Sequence, residues 1–180
     1  MVVDTFIWNK NFVTGLVEVD EQHQILVKLI NKFSNLLSQN ELIFEDIKSV
    51  YEKLTKYALH HFKEEEEMMV SVGVDPRHIG KHYKEHGNFI EEVAAIFACI
   101  TPEKLDAAKP LLKFLIAWLA YHILCTDQNL ARQIASIKAG KKSDVAYDEE
   151  EKEQDSNTEP LMAALNSLFG QVSSRNRELA

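Results

Sequence analysis

Four stretches of this chain place apolar residues every three or four positions, and in each the apolar stripe contains histidine. A stripe of that period marks one buried face of an amphipathic helix. The first covers residues 20–39, with His23, Leu26, Ile30, Phe33 and Leu37 on one face. The second covers residues 44–70, with Ile47, Val50, Leu54, Ala58, His61, Glu65 and Met68. Residues 71–77 (SVGVDPR) hold glycine and proline and interrupt the pattern. The third covers residues 79–100, with His82, His86, Phe89, Val93 and either Ile96 or Phe97. Thr101 followed by Pro102 reads as the start of a fourth helix that runs to Ala139, with Gly140 as its stop. Its stripe passes through Ala108, Leu111 or Leu112, Leu115, Trp118 or Leu119, His122, Leu130 and Ile134.

No strand-like alternation and no Asn-Gly hairpin signal occurs. The expected fold is all-α, an antiparallel up-down four-helix bundle over residues 1–140. The first twenty residues hold Phe6, Ile7, Trp8 and Phe12, too apolar for a free arm, and are expected to lie along the bundle. Residues 141–160 carry eight acids against three lysines and read as a disordered acidic linker. Residues 161–180 begin with Leu161, Leu165, Leu168, Phe169 and Val172 at helical spacing, a short amphipathic segment that either folds back or docks a protein partner.

The histidines decide the chemistry. His61 and Glu65 are four apart, as are His82 and His86, so each pair sits one residue above the other on its helix. His60, Lys63, Glu64 and Glu67 point sideways or outward, so the run HHFKEEEEMM is mostly a solvated face with two buried members. Asp127 follows His122 by five, which turns it away by roughly 140° on a regular helix. It must reach sideways, or the helix must distort. A lone histidine on an apolar face is ordinarily a hydrogen-bonded core residue. Here five of the seven histidines fall on core-facing positions, joined by two carboxylates, Glu65 and Asp127. Each buried unpaired polar group costs about 1–3 kcal/mol, against a total stability of about 5–15 kcal/mol. A metal centre resolves that conflict. Seven donors exceed what one tetrahedral zinc takes, imidazole with carboxylate suits iron, and no HExxH is present to indicate a zinc protease. The balance, rich in histidine and poor in carboxylate, favours reversible O2 binding over deep oxidation.

TGLVEVDEQHQIL (14–26), HFKEEEEMM (61–69), HYKEHGNF (82–89) and WLAYHILCTD (118–127) together resemble the bacterial hemerythrins. The resemblance implies two non-haem iron ions joined by an oxo or hydroxo bridge. It implies that His82, His86 and His122 hold one iron, His23 and His61 the other, and Glu65 and Asp127 bridge them. It also carries the i to i+5 offset of Asp127. His78 forms a second HxxxH with His82, but Phe89 three residues after His86 matches the family register and favours His82 with His86. Trp118, Phe62, Phe89, Met69 and Leu119 are expected to wall the pocket or simply to pack the core.

The expected function is O2 storage or delivery without turnover. The alternatives are an oxygen, redox or iron sensor acting through the tail, and a di-iron oxidase or a peroxide or nitric oxide scavenger. The net charge of -8 with no basic patch argues against nucleic acid. The N-terminus lacks a signal-peptide core, and the longest apolar run, broken by Lys113 and His122, reads as too short to span a bilayer. Cys99 and Cys125 form no CxxC pair and read as reduced thiols. A cytoplasmic protein without a membrane partner is expected.

Overall fold

The structure is a computed structural model that describes residues 5–39 and 41–157. The amphipathic segment expected at 161–180 lies outside the described residues. All regular structure among the described residues is helical. The helices are α1 (Val17–Leu37), α2 (Phe44–Val72), α3 (Pro76–Phe97), α4 (Ala108–Tyr121), α5 (Gln128–Lys138) and α6 (Ser143–Asn157). A π-helical turn, His122–Asp127, joins α4 to α5.

Local chemistry sets the boundaries. Ahead of α1, the Asp20 carboxylate accepts from the backbone N–H groups of Thr14 and Gly15 and from the Thr14 hydroxyl. Gly73, at φ 77°, ends α2 in the left-handed region that favours glycine. Asp75 then caps α3 by accepting from the Arg77 N–H, with Pro76 at the first helical position. The fourth helix departs from expectation. Thr101 is not its cap: residues 101–107 form turns, and α4 begins at Ala108. Pro110 supplies the reason. A helix begun at Thr101 would hold Pro110 in its interior, where it removes a hydrogen bond and clashes with the preceding turn. Begun at Ala108, it holds Pro110 in the first turn, where the missing N–H has no helical partner in any case.

Helix α1 packs on α2 and α4, and α3 packs on α2 and α4, so the four close a ring. Its main core includes Phe33, Ile47, Leu54, Val93, Leu111 and Ile123. A smaller core of Met69, Val74, Leu130 and Ile134 lies beside it. The N-terminal segment lies along the bundle. Phe6 enters the core, and its backbone N–H and C=O are both held by the Asn31 side chain. Leu105–Lys138 is a helical run of 34 residues, long and apolar enough to cross a membrane, where a span too short had been expected. Its apolar residues Phe114, Leu115, Leu119 and Ile123 belong to the bundle core.

The acidic stretch read as a disordered linker is instead helical over Ser143–Asn157, and α6 packs on α5. Its acids have cationic partners that sequence spacing does not reveal. Glu150 pairs with Arg132 at 2.7 Å, Asp148 with Arg77 at 2.8 Å and Glu151 with Lys81 at 3.7 Å. Glu149 pairs with Lys141. The Arg77 guanidinium lies over the Tyr147 ring at 4.2 Å, and Ala146 is buried. One small apolar contact and a ladder of pairs hold the helix in place of a broad apolar face.

Candidate metal centre

All seven expected donors are buried and meet at one level of the bundle. His23 comes from the N-terminal part of α1, and His61 and Glu65 from the C-terminal part of α2. His82 and His86 come from the N-terminal part of α3, and His122 and Asp127 from the two ends of the π turn. That turn supplies the distortion that the five-residue offset called for. The Gln128 N–H donates to the Ile123 carbonyl, an i to i+5 bond, and such a turn returns residues five apart to one face.

The donors form two tight groups that share Glu65: Glu65 with His82, His86 and His122, and Glu65 with His23 and His61. Within the first, His122 Nε2 lies 3.2 Å from Nε2 of both His82 and His86. Glu65 Oε2 lies 3.1 Å from His82 Nε2 and 3.5 Å from His86 Nε2. On the other side it stands 3.8 Å from His61 Nε2. Asp127 stands outside both tight groups but reaches across them. Its Oδ1 is 3.1 Å from His122 Nε2 and 3.4 Å from His82 Nε2, and its Oδ2 is 3.1 Å from His23 Nε2.

These atoms converge without satisfying one another. Both oxygens of Glu65 and of Asp127, both nitrogens of His23, and His61 Nε2 are buried and make no hydrogen bond of acceptable geometry. Orphaned carboxylate oxygens, gathered with the Nε2 atoms of His23 and His61 round a common centre, are what a cation satisfies. The electrostatics agree. Burial and Asp127 both push the Glu65 carboxyl up, yet His82 and His61 hold it well below the usual range. Burial likewise opposes ionisation of Asp127, and His122, with help from His23 and His82, outweighs it. Burial alone would lower His82, but Glu65 and Asp127 raise it to about 9, and Asp127 chiefly raises His122 to about 10. The pocket therefore demands positive charge, which protons supply when no metal does. Burial lowers His61 to about 3, so it remains a neutral ligand-type imidazole. The donor set fits metal ions of the imidazole and carboxylate class.

Four of the five rings have an outer partner, and the sequence pattern gave none of these residues that role. His86 Nδ1 faces Glu66 Oε1 at 2.9 Å. His122 Nδ1 faces Glu85 Oε2 at 3.2 Å, and Thr126 also donates to that oxygen at 2.7 Å. His61 Nδ1 faces Gln22 Oε1 at 2.8 Å. His82 Nδ1 faces His78 Nε2 at 3.3 Å. Gln22, Glu66 and Glu85 each adjoin a cluster residue in sequence, at the edge of a buried stripe, which was the available signal. Among the expected wall residues, Phe62 stacks on His86 at 3.8 Å and Trp118 on His122 at 4.4 Å, with Phe89 against both. Leu119 lies in the main core, and Met69 lies in the smaller one. Trp8, from the N-terminal segment, tilts towards His23 with ring centres 6.3 Å apart.

The hemerythrin HHE cation-binding domain model matches residues 14–134. The chain is 29% identical over 126 residues to a bacteriohemerythrin of Clostridium acetobutylicum, covering 68% of this chain and 96% of that one. It is 29% identical over 126 residues to a myohemerythrin of Theromyzon tessulatum, covering 70% and 91%. It is 30% identical over 121 residues to a bacteriohemerythrin of Pseudomonas aeruginosa, covering 67% and 76%. No solved structure gives a significant match. Helix α6 lies beyond the matched residues.

Proposed function

We propose that this chain, which belongs to the hemerythrin HHE cation-binding domain family, binds O2 reversibly and serves to store it or to deliver it to oxygen-requiring enzymes. Family membership implies a non-haem di-iron centre, and the buried His/Glu cluster is able to hold metal ions. The observation that carries the reading is two buried donor groups sharing Glu65, one with three imidazoles and one with two. In this reading His82, His86 and His122 would hold one iron, His23 and His61 would hold the other, and Glu65 and Asp127 would serve both. The two-imidazole group offers fewer protein donors, so O2 is assigned to that side. Two irons held there would supply the reversible redox chemistry that O2 binding needs.

The chain's own residues make that exchange reversible. The histidine-rich set contributes only two negative charges, which keeps the reduced pair stable. Phe62, Trp118 and Trp8 cover the rings and exclude water that would carry protons in. Gln22, Glu66 and Glu85 fix the orientations of His61, His86 and His122 through the outer ring nitrogens. The ring of helix contacts supports an antiparallel up-down bundle of α1, α2, α3 and α4. Cys99 and Cys125 form no disulfide, which fits a reducing, cytoplasmic location.

The test is optical. The protein is reduced under nitrogen, O2 is admitted and then removed, and iron is counted per chain. A visible charge-transfer band that appears and vanishes with O2, at two irons per chain, is expected. Steady consumption of O2 with added reductant and no stable oxy form would convert the reading to an oxidase. A single zinc, or no metal, would end it.

A further inference from the structure

His82 is backed by another ring, where His61, His86 and His122 are backed by side-chain oxygens. His78 is buried at 3% exposure and is not one of the seven donors. Its Nε2 lies 3.3 Å from His82 Nδ1. Its Nδ1 lies 3.0 Å from the Gln133 side-chain amide, which lies 2.6 Å from that of Asn129. Gln133 and Asn129 are themselves buried. The row His82, His78, Gln133, Asn129 thus leads from the cluster to α5.

A neutral imidazole has one N–H and one lone pair, so a row of this kind has a direction. His82 turns Nε2 towards the cluster, 3.1 Å from Glu65 Oε2 and 3.2 Å from His122 Nε2. A ring that presents its Nε2 lone pair to a metal carries its proton on Nδ1. That proton needs an acceptor, and His78 Nε2 is the atom within reach. Accepting there places the proton of His78 on its own Nδ1, which then needs an oxygen from Gln133. The two ends of an amide differ little in shape, so the protons decide which faces which way. With the amide nitrogen on these contacts, Gln133 Oε1 is a buried acceptor without a partner. With the Gln133 and Asn129 amides both turned about, the Gln133 oxygen takes the N–H of His78 at 3.0 Å and an N–H of Asn129 at 2.6 Å.

We propose that His78 is a positioning residue for His82: it accepts the His82 Nδ1 proton, keeps its own proton on Nδ1, and is fixed in that tautomer by the oxygen of Gln133. The row holds the His82 ring so that Nε2, and not Nδ1, serves the centre. His78 itself makes no contact with the metal. The proposal rests on the reading of His82 as a ligand.

The experiment uses the full chain loaded with zinc(II) as a diamagnetic probe and labelled with 15N histidine. Long-range 1H–15N spectra are expected to show His78 protonated at Nδ1 and bare at Nε2. His78→Leu and Gln133→Leu are expected to release metal to a chelator about 10–100-fold faster. His78→Gln keeps an acceptor oxygen and is expected to stay near the native rate. A metal-holding protein with the His78 proton on Nε2 overturns the proposal, and so does a folded His78→Leu with native release. Equal acceleration in His78→Leu and His78→Gln overturns it too, since a purely packing role treats both alike. A chain that holds no metal overturns the ligand reading, and this proposal with it.

Discussion

The two halves of the cluster are built differently. The half formed by His82, His86 and His122 is braced on its outer side. Two of its rings face carboxylates, Glu66 and Glu85, and the third faces the buried His78. Phe62 and Trp118 stack on two of its rings. In the other half, His61 faces only the neutral amide of Gln22, and neither nitrogen of His23 makes a hydrogen bond. Outer partners that accept a ring proton orient the ring and raise its basicity as a ligand. The difference teaches that one side holds its rings firmly in place, while the other leaves a ring less constrained. The proposed O2 binding uses that asymmetry, with the braced side holding one ion and the looser side the one that meets O2.

The strongest way to break the comparison is to remove a residue that touches rings of both halves. Asp127→Ala withdraws a carboxylate that touches His23, His82 and His122 and is expected to reduce bound iron from two per chain to none. Elemental analysis of the purified variant checks this. Next come changes confined to one half. Glu85→Ala strips the outer acceptor from His122 and is expected to weaken retention on the three-imidazole side about 10–100-fold. Gln22→Ala removes a neutral partner from His61 and is expected to fall at the low end, about tenfold, on the other side alone. Chelator titrations of the two variants would reverse the comparison if Gln22→Ala proved the more damaging.

Acidity sharpens the contrast in the metal-free chain. His82 sits at about 9 and His122 at about 10 because Glu65 and Asp127 outweigh burial. A pKa raised by folding contributes stability that is complete below the unfolded value of about 6.5 and is lost as pH rises through the folded one. The stripped protein should therefore lose melting temperature between about pH 6.5 and 10. The metal-loaded protein should lose less, because the cation replaces those protons. Equal losses in the two forms would show that these rings do not share charge with the metal. The smallest effect is expected at α6. Arg132→Ala breaks a half-exposed pair with Glu150 and should cost under about 1 kcal/mol while leaving iron content unchanged.

Much of this was legible in the sequence for one reason: a buried helix face repeats, and whatever interrupts its apolar stripe must be satisfied inside. His23, His61, Glu65, His82, His86 and His122 announce themselves that way. Asp127 does not, because its position depends on the i to i+5 turn at His122–Asp127, and the resemblance, not the periodicity, placed it. The outer partners were hidden for a related reason. Gln22, Glu66 and Glu85 lie on the flanks of the stripes, where an acid or amide looks the same whether it meets water or an imidazole. Helix α6 was misread because its partners, Arg77, Lys81 and Arg132, are distant in sequence, and a run of acids looks solvated until they are found. Pro110 could have corrected the start of α4, since proline belongs in a first turn and not nine residues into a helix.

The most direct test is to follow iron per chain as a chelator is added to the reduced protein. Two irons leaving in two separate phases, with Gln22→Ala hastening the first and Glu85→Ala the second, are the expected result. One metal per chain, or two leaving together at rates that both variants shift alike, would contradict a centre built as two unequal halves.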